Sequence, residues 1–167
     1  VYGGFLFSHF GHFLLESLGR LWLHEINHSC PIIWIPSTAN ELTPWMTDIL
    51  HFTGIHGATE ILSGEDGAVE IGELLIADQG FEVERYLHPW FSTWLQRVPY
   101  EPQTDRSHVW LSRSALGDLA GVEEEVEIER QLAQDGWIIA QLEEMTISEQ
   151  VTLFAQATHI SGIEGSA

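Results

Sequence analysis

The sequence predicts an α/β protein assembled from parallel β–α–β units, and three observations carry that expectation. Short apolar runs such as PIIWIP (31–36), HVWLS (108–112) and WIIAQ (137–141) have the length and composition of buried strands. Amphipathic patterns with helical spacing lie between them. In the last third of the chain strand and helix alternate regularly, a rhythm that favours parallel pairing through right-handed crossovers.

Taken in order, the first helix is expected from Gly11 to about His28. Phe10, Phe13, Leu14, Leu18 and Leu21 fall on one side at 100° per residue, while His9, His12, Glu16, Arg20 and Asn27 collect on the other. Pro36 closes the strand PIIWIP. Thr43-Pro44 opens a helix over about 42–53 that stops near Gly54, since proline suits a first turn. ATEILS (58–63) and AVEIGELLIA (68–77) read as strands, and Pro89 to Arg97 as a weaker helix. The stretch VPYEPQTDR (98–106) has the proline and polar content of a linker. The expected organisation is therefore a domain over 1–98, a linker over 99–106 and a second domain over 107–167. There HVWLS is followed by a helix VEEEVEIERQLAQDG (122–136), the strand WIIAQ, a helix TISEQVTLFAQA (146–157) and the strand HISG (159–162). Thr146 and Glu149 have capping-box spacing.

Composition narrows the function. The 167 residues carry 25 acidic and 6 basic side chains, a formal charge of −19, and every basic one is arginine. Such a surface repels nucleic acid and anionic membranes. Without lysine there is no phosphate loop of the G-x-x-x-x-G-K-[ST] type. Any bound phosphate must be met by arginine, backbone N–H groups or a helix N-terminus. Solubility is the simplest reason for the acidity. No apolar run reaches the roughly 20 residues of a membrane span. Cys30 stands alone, which suggests a reducing, cytoplasmic setting. The opening VYGGFLF has neither a Met nor the cationic flank of a signal peptide, and both ends break off inside a pattern, as in a piece of a longer chain.

Ligands of parallel sheets sit beyond the carboxyl ends of the strands. Ser112-Arg113 and the turn Gly162-Ile163-Glu164-Gly165-Ser166-Ala167 both occupy such ends. A guanidinium there can grip a phosphate through two parallel hydrogen bonds, or simply pair with one of many surface carboxylates. The glycine turn can offer bare amides to an anion, or serve as an ordinary strand-to-helix connection. Glu164 would repel an anion, and it suits sugar hydroxyls or a structural anchor instead. On the first helix His12 and Glu16 lie four apart and share a face. The pair is either a general base with its orienting carboxylate, part of a divalent-metal set with His9, or a solvent-facing polar stripe. Trp22, Trp34, Trp110 and Trp137 read as core. Trp45, Trp90 and Trp94 could line a sugar cleft, although packing explains them as well. Glu123–Glu125 complement a helix dipole.

These residues also carry a resemblance. GGFLFSHFGHFLLESLGRLW resembles the N-terminal signature of glycosyltransferase family 61, the group of capsular polysaccharide biosynthesis-like glycosyltransferases. VWLSR, EEVEIERQLAQDGW and TISEQVTLFAQATHISGIEGSA resemble, in the same order, the family's C-terminal motifs. The match runs from about Gly4 to Ala167 and is weak in the middle. Three departures stand out: Glu164 where the family usually has His, Glu124 where it has Asn, and no second arginine in the turn SALGDLAG. The resemblance implies a GT-B fold of two Rossmann-like domains, the second incomplete in this chain. It implies inverting, metal-independent transfer of a sugar from a nucleotide-sugar donor to a saccharide acceptor, with no cofactor. The first domain would hold the acceptor and the second the donor, and homo-oligomerisation stays open. On that basis His12 is expected as base and Glu16 as its orienting partner. Ser112, Arg113, Gly162, Glu164, Gly165 and Ser166 are expected around the donor. Gln150 either touches the nucleotide or packs the domain edge. The competing expectations are a non-catalytic nucleotide- or saccharide-binding relative and a metal-dependent hydrolase built on His9, His12 and Glu16.

Overall fold

A computed structural model describes residues 1–25, 30–63, 67–82, 85–97, 107–119 and 124–163. The chain divides into two units, Val1–Pro99 and Tyr100–Ala167.

The first unit holds a three-stranded parallel sheet in the order β1 (Tyr2–Leu6), β2 (Ile32–Pro36), β3 (Thr59–Ile61). Its core forms because Ile32 and Trp34 of the central strand and Leu6 of β1 are fully buried. Phe13 approaches Trp34 at 6.4 Å between ring centres, and Trp45 meets Phe13 edge-on at 5.2 Å. Trp45 belongs to α2 (Pro44–Phe52), which buries Met46, Ile49 and Leu50 and begins with proline behind the extended Thr43. The register of β1 slips between Tyr2 and Gly4, and Gly4 sits at φ 89°, a conformation that glycine adopts without a Cβ penalty. A short antiparallel pair, β4 (Phe81–Glu82) and β5 (Tyr86–Leu87), leads into α3 (Pro89–Leu95). The helix α3 buries Phe91 and Trp94, and the His88 ring nitrogen at its N-cap accepts the Trp90 N–H.

Two expectations for this unit are corrected. The first helix is not one regular α-helix. It is a single α turn, α1 (Phe10–His12), then a π turn over Phe13–Ser17, then a 3₁₀ stretch over Leu18–Glu25. The buried stripe survives, with Phe13, Leu18 and Leu21 inside. What changes is the hydrogen-bond ladder, because partners outside the helix take over its carbonyls: Gln79 Nε2 donates to Leu15 O and Glu16 O, and Gly80 N to Gly19 O. Residues 26–28, expected in this helix, lie outside the described residues. The second correction concerns 68–77, read as a strand. It gives Leu75 O to Tyr2 N at 2.8 Å, but builds no ladder. Gly72 and the charges of Glu70 and Glu73 weaken it as a strand.

The second unit is a parallel sheet with β6 (Ser107–Leu111) central, flanked by β7 (Ile138–Ala140) and β8 (Ala157–Gly162). Val109, Ala140 and Leu153 form its core, with Leu111, Leu142, Met145 and Ala157 packed against them. The helix α4 (Glu125–Gln134) joins β6 to β7, and α5 (Ile147–Gln156) joins β7 to β8. Strand, helix and strand thus alternate as expected, and both three-stranded sheets are parallel. The expected linker over 99–106 lies outside the described residues. Thr146 caps α5 as its spacing predicts: Thr146 Oγ1 accepts the Glu149 N–H, and the Glu149 carboxylate accepts from Thr146 N at 2.7 Å. Thr146 Oγ1 also donates to Glu149 Oε2 at 2.7 Å, and this bond, with that from the Thr146 N–H, holds the Glu149 carboxyl below its ordinary range.

Gly80 lies against Phe91 and the Gly19 carbonyl so tightly that a Cβ would fall 2.5 Å from Phe91 Cγ and 2.7 Å from Gly19 O. Gly80→Ala should therefore destabilise the protein by about 1–3 kcal/mol in urea unfolding. Thr146→Ala should cost about 1 kcal/mol. The depressed Glu149 carboxyl fixes the sign of a pH effect. Its contribution is complete above the unfolded-state value and is lost as pH falls through the lower folded value, so acid titration of stability should show it in the parent protein.

Candidate functional site

In the first unit a cleft of about 560 Å³ opens beside β1, a volume in the usual range for a small-ligand site. One wall is the strand, which offers Tyr2, Gly4 and Phe5, and Phe7 just beyond its end. The π turn contributes Glu16 and the 3₁₀ stretch contributes Arg20. Gln79, Phe81 and Glu82 close the other side. The segment 77–80 is strapped to the helical turn by four groups. Arg20 Nη1 donates to Ala77 O at 2.5 Å, Trp22 Nε1 to Asp78 O at 3.1 Å, Gln79 to Leu15 O and Glu16 O, and Gly80 N to Gly19 O. Ser17, fully buried, joins the helical turn to the end of β1 by donating to Phe5 O and accepting the Phe7 N–H.

His12 stands at the rim of this cleft. Its Nδ1 is hydrogen-bonded to Glu16 Oε1, and its ring packs on Phe7 at 5.5 Å between centres. Both Glu16 and Phe7 line the cleft. The π turn brings the pair together, placing residue 16 one turn beyond residue 12 on the same face; π turns recur at functional sites. With a carboxylate accepting at Nδ1, the neutral ring carries its proton there and Nε2 keeps its lone pair. The side chains are 57% and 48% exposed, so a substrate can reach them. His9 lies edge-on to His12 at 5.2 Å. Among the described residues no three His, Cys, Asp or Glu side chains form a group that could hold a metal ion, so the set His9, His12 and Glu16 is not assembled as one.

In the second unit Leu111 of β6 pairs with Gly162 of β8. Ser112-Arg113 and Ile163 therefore leave adjacent parallel strands at the same carboxyl edge. Ser112 is buried and shapes the turn: its N–H continues the sheet to Ala140 O at 2.8 Å, and its Oγ lies 2.9 Å from Ser114 Oγ. The Arg113 N–H donates to Glu125 Oε1 at 3.0 Å, and Ser114 Oγ donates to Glu129 Oε2. Gly162 packs closely on its neighbour strand, where a Cβ would meet Leu111 O at 3.0 Å. Gln150 gives its amide protons to Leu142 O at 2.9 Å and Met145 O at 3.2 Å, which anchors the connection between β7 and α5. Glu164, Gly165 and Ser166 lie outside the described residues.

From the sequence Glu125 belongs to a first helical turn, where its charge complements the dipole. It does begin α4, but it is 1% exposed, and its second oxygen has no hydrogen-bond partner. Its visible signal was its place thirteen residues after Ser112 in a chain where strand ends gather the polar groups. Phe81, Glu82 and Gln79 were also missed, although the polar Asp78-Gln79-Gly80 break after an apolar run hinted at a buried turn. Of the tryptophans, Trp34 and Trp94 are buried and Trp45 packs on Phe10 and Phe13, while Trp90 is 64% exposed. Trp22 stacks on His88 at 5.1 Å.

Fold and sites together describe an α/β protein with parallel sheets, a histidine–carboxylate pair over an aromatic cleft, and a Ser-Arg turn at a sheet edge. The family model Glycosyltransferase 61 matches residues 10–167, and the chain belongs to that family. No curated protein and no solved structure gives a match. Among the described residues no helix is long and apolar enough to cross a membrane.

The Arg113 turn depends on Glu125 as its acceptor. Glu125→Ala takes the acceptor from the Arg113 N–H and opens a void at a buried position, so it should cost about 2–3 kcal/mol in chemical denaturation.

Proposed function

We propose that the protein transfers a sugar from a nucleoside-diphosphate sugar to a saccharide hydroxyl, with inversion and without a metal ion. The observation that carries this reading is the His12–Glu16 pair at the rim of an aromatic cleft in a member of glycosyltransferase family 61. His12 Nε2 takes the proton from the acceptor hydroxyl as its oxygen attacks the anomeric carbon of the donor. The bond from that carbon to the diphosphate breaks on the opposite face, and the nucleoside diphosphate leaves. Glu16 holds the ring in the required tautomer and stabilises the imidazolium that forms.

Stabilisation of the departing diphosphate falls to Arg113 and to amides following Gly162. The parallel pairing of Leu111 with Gly162 supports this, because the two strands end at one edge of the sheet. A GT-B division of labour, with acceptor on the first unit and donor on the second, belongs to the same proposal. So does a reducing, cytoplasmic location, read from the single cysteine.

In the intact protein His12→Ala should lower kcat at least a hundredfold with donor affinity kept, and normal transfer by that variant would remove His12 from the mechanism. Arg113→Ala should weaken donor binding about tenfold or more in calorimetry, and unchanged affinity would remove Arg113 from the donor site. Turnover should survive exhaustive chelation. Donor binding with no transfer to any acceptor would point to a non-catalytic relative instead.

A further inference from the structure

Arg20 sits half-buried in the first-unit cleft and is held there by two neutral neighbours. Its Nη1 donates to the Ala77 carbonyl at 2.5 Å, and its guanidinium carbon stands 5.9 Å from the Tyr2 ring centre. Neither contact cancels its charge. Among the described residues Arg20 makes no ion pair, although two carboxylates share its cleft. Glu16 is hydrogen-bonded to His12, and Glu82 is paired with Arg85 at 2.5 Å. The donors left over are Nε–H and Nη2–H, which lie along one edge of the guanidinium and point the same way. Gly4 keeps that edge open: a Cβ there would stand 3.7 Å from Nε.

We infer that the acceptor is an acidic saccharide whose carboxylate is gripped by Nε–H and Nη2–H of Arg20; this rests on the glycosyl-transfer reading above. A planar carboxylate matches two parallel N–H donors, and charge-assisted bonds of this kind are about twice as strong as neutral ones. The Tyr2 ring and the Ala77 carbonyl fix the guanidinium beforehand, so little rotamer freedom is lost on binding. A chain with 25 acidic groups and 6 arginines has every means to pair a cation, and a neutral sugar would make no use of this one. Arg20 lies eight residues beyond His12 on the same helical run, about 12 Å at the α-helical rise. One or two pyranose rings bridge that span, with a hydroxyl at His12 and the carboxylate at Arg20. Arg20 is thus a specificity-determining residue: it selects the acceptor and takes no part in the proton transfer.

The test uses disaccharide pairs that differ only by oxidation at C6, a glucose, galactose or mannose unit against the corresponding uronate. Affinities for the intact protein come from ligand-observed NMR titration, and UDP and GDP binding is measured calorimetrically on the same sample. At least one uronate should bind about ten times or more tighter than its neutral partner. Arg20→Gln should erase that ratio, which a merely structural loss would leave unchanged. Arg20→Lys, which keeps the charge and loses the fork, should retain only part of it. Neutral disaccharides that bind as well as their uronates overturn the inference, and this comparison needs no variant. A preference that survives Arg20→Gln overturns it too. If saccharides fail while a nucleoside diphosphate binds, the inference falls and the donor half of the reading stands. If neither binds, glycosyl transfer itself falls and the inference with it.

Discussion

Gln79 is the point at which two irregular pieces of backbone satisfy each other. A π turn followed by a 3₁₀ stretch cannot pair all its own carbonyls in the regular i to i−4 pattern, and the carbonyls it leaves over can take donors from elsewhere. The segment 78–80, just before β4, has donors to give. The side-chain amide of Gln79 reaches two of those carbonyls, and the Gly80 N–H reaches a third. The absence of a Cβ at Gly19 and Gly80 lets the two pieces approach. From this junction follow the position of Glu16, the orientation of His12 and the far wall of the cleft.

Positive charge is the scarce resource of the molecule, and its placement is informative. Arg85 and Arg130 are bound to Glu82 and Glu127 three residues away, and Arg20 is bound to a backbone carbonyl. The Arg130 pairing, with help from Gln131, draws the Glu127 carboxyl down to about 2, which marks how completely that guanidinium serves its own helix. Arg113 is the arginine that stands at a sheet edge behind a parallel strand. Its backbone is pinned by Glu125, so the turn presents its side chain from a fixed base. On the proposed chemistry a diphosphate would be met by one guanidinium and by backbone dipoles, never by a basic patch.

Much of the second unit was legible because its signals are local. Strand and helix alternate with clean boundaries, and a capping box announced the start of α5. The edge at Ser112 and Gly162 followed from parallel topology alone. The first unit was harder. Periodicity found the buried stripe of Phe13, Leu18 and Leu21, but it could not show the change from α to π to 3₁₀, because that change is set by Gln79 some sixty residues away. The apolar alternation of 68–77 imitated a strand for want of any signal that its partner edge offers a single bond. His12 and Glu16 could be paired from spacing. The cleft beside them could not be foreseen, since it needs Phe81 and Glu82 delivered by a distant strap. Glu125 was hidden by its neighbours, because a buried carboxylate in a run of glutamates looks like any other.

The strand order of the second unit has a consequence for how the protein is made. β6 is central, yet both of its partners come later in the chain, each across a helix. As the polypeptide emerges from the ribosome, β6 must remain unpaired until β7 arrives, and its other edge stays open until residues 157–162 have followed. Val109 and Trp110 are thus displayed to solvent for most of the unit's synthesis. With 25 acidic side chains against 6 basic ones, copies of the chain repel one another while that strand waits.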